Sequence, residues 1–315
     1  MKNNRFILST LTLLAFLPAI AFAGSNIVRP IDKTFDLNGI SKIVVSTQGG
    51  FIKVIGESRS DAHVVIEQVF RNASNSEADD LETQIESTME KRGDVLHIEF
   101  KIDQSRSLWS FFGSKPSVQF NTTIETAKDI DVELRTSGGP IEVTALDSTV
   151  QANTSGGPMK FRDIGGPVKA HTSGGPIDAR NINGDVDLST SGGPISVSSI
   201  TGQTKLTTSG GGIHANDMKG PLNAKTSGGG ITASFPEGID DDTTLRTSGG
   251  SITAKLPKSD QFYLNAHTSG GGVRTDFPIA IRGETKRNKA EGPVNGGGPT
   301  LDLKTSGGGI NIKYL

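Results

Sequence analysis

The 315-residue chain has no cysteine, one tryptophan and two tyrosines, and aromatic residues make up 5% of it. Without cysteine there can be no disulfide, no lipid-modified cysteine and no thiolate metal site, so packing alone must stabilise the fold. A dominant charge sign is also missing, since 32 Lys and Arg stand against 34 Asp and Glu, a net charge of −2. The two signs are interspersed. That leaves no electrostatic footprint for nucleic acid and no polybasic patch for an anionic membrane. After residue 23 no long apolar run occurs, so no transmembrane segment is expected.

Catalytic signatures are absent as well. The sequence holds no G-x-S-x-G, no H-E-x-x-H and no Gly-rich loop ending in Gly-Lys, which removes support for nucleophile elbows, zincins and P-loops. The histidines at 63, 97, 171, 214 and 267 are scattered without ligand spacing. No metal or cofactor is expected from them. Calcium-binding β-rolls present aspartate from a G-G-x-G-x-D turn, whereas the recurrent turn here has no carboxylate, and Asp240, Asp241 and Asp242 read as a solvated loop.

What the chain does have is repetition. The phrase Thr136-Ser137-Gly138-Gly139 returns at Thr154, Thr172, Thr190, Thr208, Thr226, Thr247, Thr268 and Thr305, first at intervals of 18 residues and then of 21, 21 and 37. A fixed short period means one small unit stacked on itself. Before each turn the inward residues alternate with polar ones: Val132, Leu134 and Thr136, then Val150, Ala152 and Thr154, and so on. After the turn Ile141 and Val143, Ile177 and Ala179, and Ile195 and Val197 repeat the alternation, with a corner residue at Leu146, Ile164, Ile182, Ile200 and Met218. Each coil is therefore two strands and two turns. The expected fold is all-β: an elongated, parallel, two-sheet β-solenoid of about 18 residues per coil. The Gly pair is expected to supply the positive φ that a sharp reversal needs, and the Thr column to point inward and hydrogen-bond structurally.

Residues 24–128 differ from the repeats and are expected to form a degenerate first coil and a β-rich cap, ahead of the solenoid of residues 129–315. Thr47-Gln48-Gly49-Gly50 looks like an imperfect first turn, and residues 76–90 read as one short helix capped by Ser76 and Asp79, with Leu81, Ile85 and Met89 on one face. Alternation then resumes at Leu96, Ile98 and Phe100 and at Val118, Phe120, Thr122 and Ile124. Such a cap covers an open solenoid end. Trp109, Phe111 and Phe112 are the candidate contact site, with a buried plug as the competing role.

At the N-terminus Lys2 and Arg5 precede an apolar stretch and the triplet Ala21-Phe22-Ala23, which reads as a signal peptide of residues 1–23 and export to a bacterial periplasm or cell surface. Taken together, the Ile43–Ile55 strand pair, the run F-N-T-T-I-E-T-A-K-D-I-D-V-E-L-R-T-S-G-G at 120–139, the T-S-G-G-x-I repeats and the closing strands of 301–312 resemble the bacterial "putative adhesin" family of β-strand repeat domains. That resemblance implies adhesion and carries no catalytic residue. The expected role is a non-enzymatic envelope or surface scaffold that binds a glycan or a protein. Two alternatives stand: a polysaccharide-acting β-helix enzyme working over Glu142, Lys160, Asp178, Ser196 and His214, and a filament subunit self-associating through an open last coil at 310–315.

Overall fold

A computed structural model describes residues 26–103, 116–279 and 287–315. The N-terminal part comprises β1 (Ile27–Asp36), β2 (Lys42–Thr47), β3 (Ile52–Glu57), β4 (Asp61–Arg71), α1 (Asn75–Glu82), β5 (Ile85–Arg92), β6 (Val95–Ile102) and β7 (Ser117–Ala127). The repeats follow as β8 (Asp131–Thr136), β9 (Ile141–Leu146), β10 (Val150–Thr154), β11 (Met159–Ile164), β12 (Val168–Thr172), β13 (Ile177–Ile182), β14 (Val186–Thr190) and β15 (Ile195–Ile200). They continue as β16 (Thr204–Thr208), β17 (Ile213–Met218), β18 (Leu222–Thr226), β19 (Ile231–Ser234), β20 (Thr243–Thr247) and β21 (Ile252–Leu256). The chain closes with β22 (Phe262–Thr268), β23 (Val273–Thr275), β24 (Lys289–Val294), β25 (Thr300–Thr305) and β26 (Ile310–Tyr314).

These strands form two sheets of 13 strands each, and within the repeats every strand pairs in parallel with its counterpart one coil away. Equivalent residues stand opposite one another: Val150 against Val168, Thr154 against Thr172, Met159 against Ile177. At about 4.8 Å per strand each sheet runs for about 60 Å. The expected inward residues are the buried ones, and aliphatic side chains from both sheets make one continuous core. Fuller plugs close the two ends. Phe100 and Phe120 stack with ring centroids 5.3 Å apart at one end, and Phe277 lies against Phe262 and Tyr314 at the other.

The glycine pair works differently from expectation. None of the T-S-G-G glycines has a positive φ; in this column only the imperfect turn at Gly49 and Gly50 does. Contact between coils is what excludes a side chain. A methyl group on Gly139, Gly157, Gly175 or Gly193 would lie 1.7 to 2.2 Å from the carbonyl oxygen of the glycine one coil away. Positive φ is carried instead by the other corner, at Ala145, Asp163, Asn181, Ser199 and Asp217, with values from 53° to 60°. Each is an extra residue just before the buried corner residue. L-residues pay for that conformation, least so Asn and Asp. Ala145→Gly is therefore expected to stabilise the protein by about 0.5–1 kcal/mol, checked by urea denaturation.

The threonine column is structural. Thr172 Oγ1 donates to the Gly157 carbonyl at 3.2 Å, Thr190 to Gly175 at 2.9 Å and Thr208 to Gly193 at 2.8 Å, while the N–H of Gly193 donates back to Thr190 at 3.3 Å. The column starts at Thr47, which stands opposite Phe100 on the side where Thr136 and Thr154 stand opposite another threonine, and has no hydroxyl partner among the described residues. Thr190→Val leaves a buried carbonyl and a buried N–H unpaired, and is expected to cost about 1–3 kcal/mol in the same denaturation assay.

Both ends of the stack depart from chain order. At the first end the coil β6–β7 lies outside β2–β3, so the earliest coil is internal. At the second end β26 sits between β21 and β23, and β25 between β20 and β22. Residues 310–315 thus correct the expectation of an open last coil: they belong to an internal one. The outermost strands there are the three-residue β23 and the antiparallel β24, which arises within the excursion at 281–299. At the first end β1, β4 and β5 add antiparallel cover, and β1 carries the edge-protecting Pro30 and several charges.

The helix is shorter than expected. It is capped by Ser74 and Glu77, with the Ser74 N–H donating to Glu77 Oε2 at 2.7 Å, in place of Ser76 and Asp79. Beyond Thr83 the chain becomes strand β5, because pairing with β6 offers residues 85–92 a full antiparallel ladder. Leu81, Ile85 and Met89 all reach the core, but from two different elements. Arg29 of β1 pairs with Asp79 and Glu82, which ties the helix to the edge strand.

Candidate functional site

Trp109, Phe111 and Phe112 lie outside the described residues. On the first sheet, which contains β9 to β17 among its odd-numbered strands, Glu142, Lys160, Asp178, Ser196 and His214 stand in one row as the repeat predicts. Asp178 is engaged by Arg180 at 2.9 and 3.0 Å, and Lys160 separates it from Glu142. The two carboxylates are then two strands, about 10 Å, apart. Among the described residues no three His, Cys, Asp or Glu side chains are grouped to hold a metal ion.

The second sheet, built from β8 to β18 among its even-numbered strands, is more shaped. A groove of about 520 Å³ crosses β10, β12, β14, β16, β18 and β20 along the corner where each strand begins. Its floor is a row of outward residues that includes Gln151, Lys169, Asp187, Lys205 and Asn223, bordered by Pro167 and Pro221. The groove follows from the repeat itself, since the first outward residue of every coil falls in line.

Its carboxylates are committed to the stack. Asp185 accepts the Gln203 N–H at 2.9 Å, Asp242 accepts the Thr300 N–H at 2.7 Å, and Asp187 meets Lys205 at 3.2 Å. Polar groups that remain open are the Lys169 ammonium and the amides of Gln151, Gln203 and Asn223, which suit hydroxyl-bearing or anionic partners.

A second outward row runs beside the first, two residues further along each strand. Past Thr88 and Glu99 at the first end of the sheet, it runs through Ser46, Arg135, Asn153, His171, Ser189 and Thr207, each opposite the next. It continues through Lys225, Arg246, Lys304, His267 and Lys289. No acidic residue occurs in the eleven positions from Ser46 to Lys289. In the neighbouring row Asp302 contacts Arg246 at 2.7 Å and Lys304 at 3.0 Å, and Lys289 pairs with Glu291. The hydrogen bond from Lys289 holds the Glu291 carboxyl below its ordinary range, with the attraction between the charges adding to it. Sequence reading missed this cationic row, although Lys225, Arg246, His267 and Lys304 each directly precede the threonine of a T-S-G-G phrase; the exchanged order of β22 and β25 sets which of them are neighbours.

The architecture is that of a two-sheet parallel β-solenoid with a polar outer face. The chain belongs to the Toastrack DUF4097 family, whose pattern matches residues 40–313. Among solved structures it is similar to a "putative adhesin" of Bacteroides fragilis, at 16% identity over 91% of this chain and 97% of that one, with a TM-score of 0.42. A "putative lipid binding protein" of Parabacteroides distasonis is 15% identical over 93% and 97%, with a TM-score of 0.41. A "putative cell adhesion protein" of Clostridium sporogenes is 15% identical over 92% and 100%, with a TM-score of 0.25. No curated protein matches the chain. These three structures are named for adhesion or lipid binding.

Proposed function

We propose that the protein is an exported, non-enzymatic binding scaffold of the bacterial envelope or surface, adhesin-like in action, which holds its partner along the outer face of the second sheet. The observation that carries this reading is the groove over six coils, whose carboxylates are spent on the stack while its amides and Lys169 stay open. A long row of evenly spaced rungs suits an extended partner contacted at many weak points, and a glycan or an unfolded protein segment has that form. Export rests on the signal-like residues 1–23, and no helix among the described residues is long and apolar enough to cross a membrane.

Lipid binding has less support on this surface. The large apolar side chains exposed among the described residues are Val28, Tyr263 and Leu315, which lie on different elements and form no patch. The test is a glycan and protein binding screen on residues 24–315, joined to cell fractionation. Gln151→Ala with Lys169→Ala and Asn223→Ala is expected to weaken the retained partner at least tenfold with an unchanged melting temperature. Retention unaffected by these changes, or release of sugar products from a polysaccharide, contradicts the reading.

A further inference from the structure

The exchange of the last coils sets the order of a charge pattern that the repeat itself lays in line. With β25 seated between β20 and β22, Lys304 stands directly between Arg246 and His267, and the row Lys225, Arg246, Lys304, His267, Lys289 occupies five adjacent strands. At about 4.8 Å per strand it is a straight line about 19 Å long, crossing the strands at right angles. We propose that this row is a binding site for a linear acidic polysaccharide, whose anionic groups meet successive cationic rungs. The proposal rests on the reading that the second sheet's outer face is the binding face, and names the chemistry of what it binds.

The heads of the row are held and yet open. Asp302 has a side chain only 12% exposed and contacts both Arg246 and Lys304, whose own side chains are 48% and 45% exposed. Asn265 Nδ2 donates to the same carboxylate at 2.8 Å. The carboxylate therefore orients two cations from beneath and leaves their outer donors for a ligand. Lys225 and His267 have no side-chain partner among the described residues. Four fixed cations face two carboxylates, Asp302 and Glu291, an excess of two positive charges with His267 neutral, on a chain whose net charge is −2. A local excess of this kind steers polyanions and concentrates them along the row.

The surroundings select a glycan over an anionic bilayer. Tyr263, 38% exposed, lies on the same strand as His267 and gives its hydroxyl to Glu291 at 3.4 Å. Its ring is an aromatic platform beside amides and cations, the combination that sugar rings with charged groups require. Bilayer docking gains its strength from apolar side chains entering the interface, and Tyr263 is the one large apolar side chain exposed on this face among the described residues.

The experiment measures binding of the intact protein to polygalacturonate at about 0.05 M salt, with phosphatidylglycerol vesicles and duplex DNA in parallel. Binding to polygalacturonate is expected, lost by about 0.5 M salt as the charges are screened. The combined change Lys225→Gln, Arg246→Gln and Lys304→Gln is expected to weaken it at least thirtyfold, and Lys225→Gln alone, at an exposed unpartnered side chain, about threefold. Asp302→Asn, which frees two cations, is expected to strengthen it. Unchanged affinity in both the triple and the single variant overturns the proposal, and so does preference for vesicles or DNA. A wild type that ignores polygalacturonate but holds another ligand through Gln151, Lys169 and Asn223 overturns the acidic-glycan row while leaving the face intact. Loss of every ligand from this face defeats the broader reading.

Discussion

Gly175→Ala is expected to cost about 3 kcal/mol or more, or to prevent folding, whereas Gly174→Ala beside it costs less than about 0.5 kcal/mol. The two glycines share a turn, a sequence phrase and an ordinary backbone conformation. They differ in what lies next to them. A methyl on Gly175 meets the Gly157 carbonyl oxygen at 2.0 Å, and one on Gly174 has nothing nearer than 3.9 Å. No side-chain rotation relieves the first clash, because both partners are backbone held by ladders on either side. Relief would mean separating two coils and stretching Thr172 Oγ1 from the Gly157 carbonyl. Thermal melts of the two variants check this. Equal tolerance would show that the coils are not in such close contact.

Deleting residues 300–315 is expected to do more damage than trimming a chain end usually does. These residues supply an internal coil, and Leu301, Leu303, Ile310 and Ile312 are fully buried between neighbours on both sides. Their apolar burial alone is worth on the order of 6–12 kcal/mol. Without them β22 and β23 lose their parallel partners, while the coils from β8 to β19 keep theirs. Hydrogen exchange should therefore become fast across 262–279 and 289–294 and stay slow across 131–218, since a stacked array fails from the affected interface outward. Protection retained at 262–279 would contradict the inserted position of the last coil.

Much of the coil was legible from periodicity. Val168, Ala170 and Thr172 alternate with Lys169 and His171, and only one register buries the first set, so the pairing with Val150 and Val186 follows. The inward threonines were also legible, because a polar residue on an apolar face needs a partner and the adjacent turn offers carbonyls. The reason for the glycines was not. A sequence shows that no side chain is wanted, and both a positive φ and a close backbone approach leave that same mark; only the spacing between coils separates them. The helix was overextended because Ile85 and Met89 are four apart, a spacing that fits a helical face and equally fits two inward positions of a strand such as β5. The order of coils at the two ends left no local trace, since each end coil carries a phrase fit to stack on any other. Only the sequence of neighbours within the cationic row was hidden with that order, since Lys225, Arg246, His267 and Lys304 each stand just before a T-S-G-G threonine.

Because the chain has no cysteine, introduced pairs report neighbours without interference. The most direct test pairs Arg246→Cys with Lys304→Cys in one variant and Arg246→Cys with His267→Cys in another, both under mild oxidation. Positions 246 and 304 are opposite one another on adjacent strands, within disulfide reach, while 246 and 267 are two strands apart at about 10 Å, beyond it. A disulfide in the first variant and none in the second is the predicted result. The reverse would show coils stacked in simple chain order, with His267 in place of Lys304 beside Arg246 and the contact between Arg246 and Asp302 lost.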